Sequence, residues 1–385
     1  MKHQNGFSLV ELMIAITLSL LLSGAAISAF LTVKRVNNTT EGVANLADSG
    51  RFAMEQLGSA VRSAGYLACS ASTDARSDLS ATLPVLVSDV VEPLGGYEYI
   101  NTDASGSIAT GTFALSPPYG QASSGNKWAT AGTLGNHLDA LIYNASVTGG
   151  TVGKPISGSD VLVTHESPVG TPALYLTNTA SVGDGTLSMT PVSAANGFAS
   201  IIAAGNTPLA VVSNCQSAEV FAASLNGNQL KMSTSNATQH LVTAYGAGSH
   251  VTLIDTRVFY VGVGSDGEGA LFVMDTNSAT GFSAPVELVP DVENMQVLYG
   301  IDTTGAKAVA EYVTADKVAT LGITQDFNSV IDVKIAVLLV GPIGSSVAPT
   351  AVPSFSLLGT TVTAPIDTRL RTVFTTTYTL RNNAG

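Results

Sequence analysis

From Phe7 to Val33 the chain runs 27 residues, FSLVELMIAITLSLLLSGAAISAFLTV, with Glu11 as the only charge and no Pro. A helix of that length rises about 40 Å, enough to cross the roughly 30 Å hydrocarbon layer of a bilayer. A carboxylate in such a layer costs roughly 2.5 kcal/mol or more on insertion scales. The segment has to be explained together with its one awkward residue, and three readings compete. A cleavable secretory signal has an apolar core of about 7–15 residues before a small-residue cut site. This run is too long for that, although Ser23–Ala25 would make a poor site. A plain membrane anchor fits the length and gives no reason for Glu11. The third reading must account for both Glu11 and the Gly6 that precedes the run.

The leader, MKHQNG, carries Lys2 and nothing acidic, so it stays cytoplasmic by the positive-inside rule. Lys34 and Arg35 close the run on the far side, against the usual bias. The rest of the chain has the composition of an exported protein. Only 11% of its 385 residues are charged, against a usual figure of about 25%. Polarity comes instead from Ser, Thr, Asn and 38 Gly, with 6% aromatic residues. This describes an extracytoplasmic, β-rich, turn-rich protein of two ordinary domains or one elaborated one. Net charge is −12; beyond Arg76 there are 10 basic residues against 23 acidic. A body that negative repels phosphate backbones, which argues against direct nucleic-acid binding. The two cysteines, Cys69 and Cys215, read as one disulfide in an oxidising compartment and as two buried thiols in the cytosol. Export favours the Cys69–Cys215 bond, whose long loop would constrain the unfolded chain by on the order of 5 kcal/mol.

The helix does not stop at the membrane. No Pro occurs between Val36 and Pro84, and Val43, Leu46, Gly50, Ala53, Leu57, Val61 and Ala64 recur at spacings of three and four. That spacing marks one apolar helix face, with Arg51, Glu55 and Arg62 on others. Ala64–Tyr66 (AGY) supplies a glycine stop. One helix over 7–64 would be roughly 87 Å long.

The hexapeptide GFSLVE (Gly6–Glu11) ahead of an unbroken apolar helix resembles the class III signal of type IV pilins and type II secretion pseudopilins. The resemblance implies that prepilin peptidase cuts between Gly6 and Phe7 and that Phe7 is then N-methylated. It also implies a use for Glu11, whose carboxylate pairs with the α-amino group of a neighbouring subunit's first residue inside a fibre. A buried ion pair is weak evidence for stability and a plausible device for setting register. Two further regions resemble the PilW family of large minor pilins. One is SGRFAMEQLGSAVRSAGYLAC (Ser49–Cys69). The other comprises PVELVPDVENMQVLYGIDTTG (Pro285–Gly305), IDVKIAVLLV (Ile331–Val340) and DTRLRTVFTTTYTLRNN (Asp367–Asn383), in that order. The similarity covers roughly the first 70 and last 135 residues and is loose between them.

The implied architecture is α+β and pilin-like, a long N-terminal helix packed on an antiparallel β-sheet head with a large β-rich insertion. Its parts are a leader (1–6), a transmembrane or fibre-core helix (7–33), an amphipathic continuation (34–66), an insertion (67–250) and a C-terminal sheet region (251–385). The implied role is a minor pilin that helps start a type IV pilus and sits near its tip. Implied partners are other minor pilins, the major pilin, a tip adhesin, prepilin peptidase and the inner-membrane assembly platform. Such a protein is first a single-pass inner-membrane prepilin with a periplasmic head, then part of the fibre. A J-type secretion pseudopilin shares the plan, and a tip-displayed adhesive head is the reading from a different class. The Ser/Thr/Gly-rich insertion mostly lacks the aromatic clusters that stack on sugars, which weakens adhesion.

The body reads as β. RVFYVGVGSDGEGALFVMD (Arg257–Asp275) is a hairpin around an Asp-Gly turn. Ile331, Val333, Ile335, Val337 and Leu339 alternate onto one face, and the chain's ending alternates Phe374, Thr376, Tyr378 and Leu380 against Val373 and its threonines. LPVLVSDVV and ALIYNASV read as apolar runs of the insertion, and ENMQVLYG and TADKVATLG each as beginning or containing a short helix. Chemistry is sparse. Gly262–Gly267 matches G-x-G-x-x-G formally, but a strand follows where a dinucleotide site needs a helix. His165-Glu166 reads as a solvated strand end. The five His lack metal-motif spacing, no nucleophile elbow or phosphate loop occurs, and Asp302–Gly305 has no second carboxylate for calcium. The sequence therefore points to a structural subunit, with no enzymatic activity, cofactor or metal site expected.

Overall fold

The computed structural model describes residues 8–68, 75–80, 90–99, 111–122, 128–129, 140–147, 149–168, 174–190, 207–226, 229–278, 281–321 and 326–382. Gly6, Phe7 and Cys69 lie outside the described residues, as does most of LPVLVSDVV.

Helix α1 runs Leu9–Ser63 without a break, 55 residues or about 83 Å. Every residue from 8 to 37 is exposed, and burial begins only at Asn38 and Gly42. Thr17, Ser19, Ser28 and Thr32 in this bare half donate to the helix's own carbonyls, Thr17 Oγ1 to Ile14 O at 2.9 Å and Ser28 Oγ to Ala25 O at 2.8 Å among them. These four hydroxyls therefore bring no unpaired donor to an apolar phase.

The lower half of α1 lies on a four-stranded antiparallel sheet in the order Glu311–Val313, Val292–Ile301, Val330–Val340, Arg371–Thr379. Leu46, Ala53, Leu57, Ala60 and Val61 share one core with Met295, Val297, Val333, Ile335, Val337 and Leu339. The face read from sequence is off by one position at its start, since Val43 is exposed and Gly42 is the buried residue. The reason is the close approach of the head. A Cβ on Gly50 would stand 2.5 Å from the Phe374 ring, and one on Gly58 2.3 Å from the Tyr378 ring. Phe374 and Tyr378 lie on the alternating face predicted for the last strand, and here that face meets helix backbone. Tyr378 OH donates to Met54 O at 2.6 Å, and the Arg62 guanidinium lies 5.4 Å from its ring centroid. The helix ends where the glycine stop was expected, with Gly65 at φ +72°. Gly65 N donates to His165 O at 2.8 Å, and Asn382 Nδ2 to Ala64 O at 2.8 Å.

A larger sheet covers the helix end and extends away from it. Its central strand, His250–Val263, pairs antiparallel with Leu209–Ser213 through its first half. Through its second half it pairs with Val161–Glu166 on one side and Gly269–Ser278 on the other. Leu94–Tyr99 continues beyond Val161–Glu166, and Ala218–Asn226 beyond Leu209–Ser213. The Arg257–Asp275 hairpin forms as predicted, and Gly262–Gly267 is its strand end and turn, with Gly267 at φ +81° and Asp266 Oδ1 accepting from Glu268 N. A small third sheet, Ser354–Leu357, Thr360–Thr363 and Thr112–Ala114, buries Leu357 and Val362 against Ala336 and Leu338.

Two helix expectations resolve differently. TADKVATLG does contain a turn, 3-10 over Ala315–Lys317 and α over Val318–Leu321. ENMQVLYG is instead strand throughout, within Val292–Ile301, and every residue of that strand is buried. With both faces covered, the two-residue alternation that announces a strand disappears. In the opposite sense, ALIYNASV opens as one helical turn, Ala140–Tyr143.

Gly58→Ala should lower the unfolding midpoint of the detergent-solubilised protein. Overpacking against Tyr378 is worth about 1–3 kcal/mol, against a helix-propensity gain of at most about 1 kcal/mol. Gly24→Ala, with no heavy atom within 4 Å of the added carbon, should not lower the midpoint. A midpoint raised by Gly58→Ala would contradict the seam as described.

Candidate assembly site

At its N-terminal end α1 is closed by a capping box. Ser8 N donates to Glu11 Oε2 at 3.0 Å, and Glu11 N to Ser8 Oγ at 3.4 Å. The S-x-x-E pattern that produces it was present in GFSLVE, and it gives Glu11 a local role that the apolar context had obscured. The carboxylate satisfies an orphan donor at the positive end of the helix. Both residues are exposed, so the same carboxylate is open to a partner from outside the chain. Beyond it, fourteen large apolar side chains from Leu9 to Val33 stand 49–74% exposed. At about 1.5–3 kcal/mol for each full burial, covering them is worth on the order of 20 kcal/mol. An apolar surface of that size is an interaction surface.

The other end of α1 is held by buried charge. His165 and Glu166, expected to be a solvated strand end, are both 3% exposed. Ser63 Oγ donates to Glu166 Oε2, and Arg257 Nη1 pairs with Glu166 Oε1 at 2.9 Å while its Nε reaches Asp275 Oδ1 at 2.9 Å. The His165 ring bonds Glu92 O through Nδ1, and burial lowers its pKa to about 4, leaving it neutral. The correction has a simple cause: the arginine that neutralises Glu166 comes from a strand 91 residues away.

Two further clusters tie the sheets together. Arg371, in the DTRLR stretch, makes a two-point pair with buried Glu293 at 2.7 and 3.1 Å and another with Asp367 at 2.8 and 2.8 Å. Arg369 bridges Glu268 of the hairpin turn and Asp291 at 2.8 and 3.1 Å. At the other end of the four-stranded sheet, Asp160 accepts from Tyr99 N and Val297 N, each at 2.9 Å. Glu98 lies against it. Burial first, and then the neighbouring Asp160 charge, push Glu98 well above the usual carboxylate range. Burial raises Asp160 to about 7 against its two backbone donors. Those donors favour a charged Asp160, whereas Glu98 Oε1 has no partner among the described residues, so Glu98 holds the shared proton.

Asp302 is committed to its own loop, accepting from Thr304 N and Gly305 N through Oδ1 and from Lys307 N through Oδ2, which lowers its pKa. Among the described residues no group of three His, Cys, Asp or Glu is arranged to hold a metal ion. Cys215 sits in the turn after Leu209–Ser213 at φ +66°, its N–H directed at Ser213 Oγ.

The site's framework is thus a long apolar N-terminal helix, half bare and half seated on an antiparallel sheet. Residues 258–382 match the family model described as Type IV Pilus-assembly protein W, and residues 1–27 match the prokaryotic N-terminal methylation motif. The two matches cover the head of the apolar run and the C-terminal sheet region. A type IV-like pilin from Thermus thermophilus matches at 17% identity and a TM-score of 0.21, over 49% of this chain and 93% of that one. No curated protein matches the chain.

Glu98 is the titratable group to test. A carboxyl with a raised folded pKa contributes stability that is complete below its unfolded value and is lost as pH rises toward the folded one. Glu98→Gln keeps the hydrogen bond without that loss. The unfolding midpoint of Glu98→Gln relative to wild type should therefore climb as pH rises above the ordinary glutamate range. A difference independent of pH would show that Glu98 is ionised in the fold.

Proposed function

We propose that this chain is a minor pilin of a type IV pilus, cut between Gly6 and Phe7, N-methylated at Phe7, and packed with other minor pilins to start the fibre. It enters the inner membrane as a single-pass prepilin with a periplasmic head and comes to sit near the fibre tip. The leader (1–6), the membrane and fibre-core segment (7–33) and its continuation (34–66) act in that order. The 67–250 and 251–385 regions form a head that selects partners and has no catalytic role. Prepilin peptidase and the assembly platform act on the first part, and the major pilin and a tip adhesin meet the finished subunit. The observation that carries this reading is the bare half of α1, a helix too apolar to remain in water and headed by one accessible carboxylate. The PilW match favours the pilus over a secretion pseudopilus. We also propose the Cys69–Cys215 disulfide, supported by the bonded state of Cys215 in a chain with two cysteines.

In the proposed mechanism Glu11 exchanges its bond to Ser8 N for the charged amino group of a neighbour's Phe7. A buried ammonium without a partner is strongly disfavoured. Glu11→Ala should leave cleavage intact and reduce incorporation into sheared fibres by roughly tenfold or more, the factor about 1.4 kcal/mol produces. Ser8→Ala removes only the reciprocal cap bond and should incorporate nearly normally. Equal defects in the two variants would assign Glu11 to helix capping and remove the charge pair from the account.

A further inference from the structure

One charge-free stretch of the head lies where α1 leaves its apolar run. From Ile335 to Ile366 the chain has no charged residue, although the protein as a whole carries −12. Within that stretch the loop over 341–353 leaves the four-stranded sheet and follows α1 toward its bare half. Ser345 packs against Gly42, Gly344 comes close to Asn38, and Gly344 N and Ser346 N are held by Thr368 O at 3.1 and 2.9 Å. Farther toward the bare half, Val347, Ala348 and Thr368 face Leu31, Lys34 and Arg35 across a cleft of about 380 Å³. The loop thus runs from the level of Gly42 to that of Leu31, about 16 Å along the helix axis. Its apolar side chains are turned outward: Ile343 is 81% exposed and Val347 80%.

Position identifies what covers them. Leu31–Val33 is the last apolar turn of the run, and Lys34 and Arg35 are the first charges after it. Basic side chains at the end of a span settle at the headgroups, with their stems along the acyl boundary. A loop sharing a cleft with Leu31 and Lys34 lies at that boundary. Sliding the helix inward so that the hydrocarbon ends a few residues earlier still leaves Val347 within the headgroup layer, several ångströms deep on each face. An acidic surface there would be repelled by anionic lipid, whereas this one is uncharged and flanked by two cations.

We infer that the loop over 341–353 docks into the periplasmic leaflet through Val347 and Ala348 while the subunit waits in the membrane. The inference rests on the membrane-anchored reading above and adds to it a second contact, between head and lipid. Extraction into a fibre would break that contact and expose the loop, making lipid release part of the work of assembly.

The test uses the full chain reconstituted in vesicles of phosphatidylethanolamine and phosphatidylglycerol, with an environment-sensitive fluorophore on Val347→Cys or, separately, Ala348→Cys. Both positions are exposed, so labelling leaves the fold intact. The expected result is a blue-shifted probe quenched by lipid bearing a nitroxide near its headgroup, roughly twofold or more above the same probe on Val182→Cys, with Ile343→Cys between the two. Val182 is an exposed residue of the large sheet region. A probe on Ser23→Cys, in mid-span, should be quenched by a nitroxide deep in the acyl chain. If Ser23 is quenched and Val347 and Ala348 behave like Val182, the docking is refuted and the anchor stands. If Ser23 is not quenched, both are refuted. Shielding of Val347 that follows protein-to-lipid ratio and ignores the nitroxide would mean that a second copy covers the loop, and would also overturn the inference.

Discussion

The contact on which this molecule depends is that of two aromatic rings with bare helix backbone. Phe374 over Gly50 and Tyr378 over Gly58 bring the last strand of the head against α1 more closely than any side chain would allow. The hydroxyl of Tyr378 on Met54 O fixes the register of that approach. Because the seam is short and tight, the head is seated on the lower half of the helix and the upper half is left uncovered. A helix with its apolar face covered all along would have no surface to offer a bilayer or other helices. This one offers more than two dozen residues of it, and the division between the halves falls close to Asn38.

Buried charge holds the rest in place. The strand carrying Phe374 and Tyr378 begins at Arg371, whose guanidinium is clamped between Glu293 and Asp367. The C-terminal end of the helix is tied through Ser63 to Glu166 and onward to Arg257 and Asp275. Removing one partner from a buried pair costs about 3–5 kcal/mol, far more than the intact pair contributes over an apolar replacement. These groups therefore fix which strand lies where more than they add to total stability. The pair of Glu166 with Arg257 also ties Val161–Glu166 to His250–Val263, and with Leu94–Tyr99 these strands lie side by side in one sheet under the helix end.

Much of this was legible because it is local. An unbroken apolar run, a glycine stop at Gly65, an Asp-Gly hairpin and the alternation from Ile331 to Leu339 each depend on neighbours within a few residues. The rest depends on residues far apart in sequence. Burial of His165 and Glu166 requires Arg257 and Ser63. Burial of Val292–Ile301 on both faces requires the core it shares with His250–Val263 and Gly269–Ser278 on one side and Gly158 on the other, and it erases the alternation that would have marked a strand. Gly42 replaced Val43 on the helix face because Ser345 approaches there, which helical periodicity alone does not encode. At the candidate site Glu11 was legible as an anomaly, and its bond to Ser8 was available in the same hexapeptide as a capping box.

The central claim is that the bare half of α1 ends in a free, processed terminus one turn from Glu11. The mass of the N-terminal peptide, taken from cells that express prepilin peptidase, tests it directly. The account predicts a peptide that begins at Phe7 and is heavier by one methyl group. A peptide beginning near Ala26 would make the head a secreted domain, and an intact Met1 or Lys2 would make α1 a static anchor; either would contradict the account.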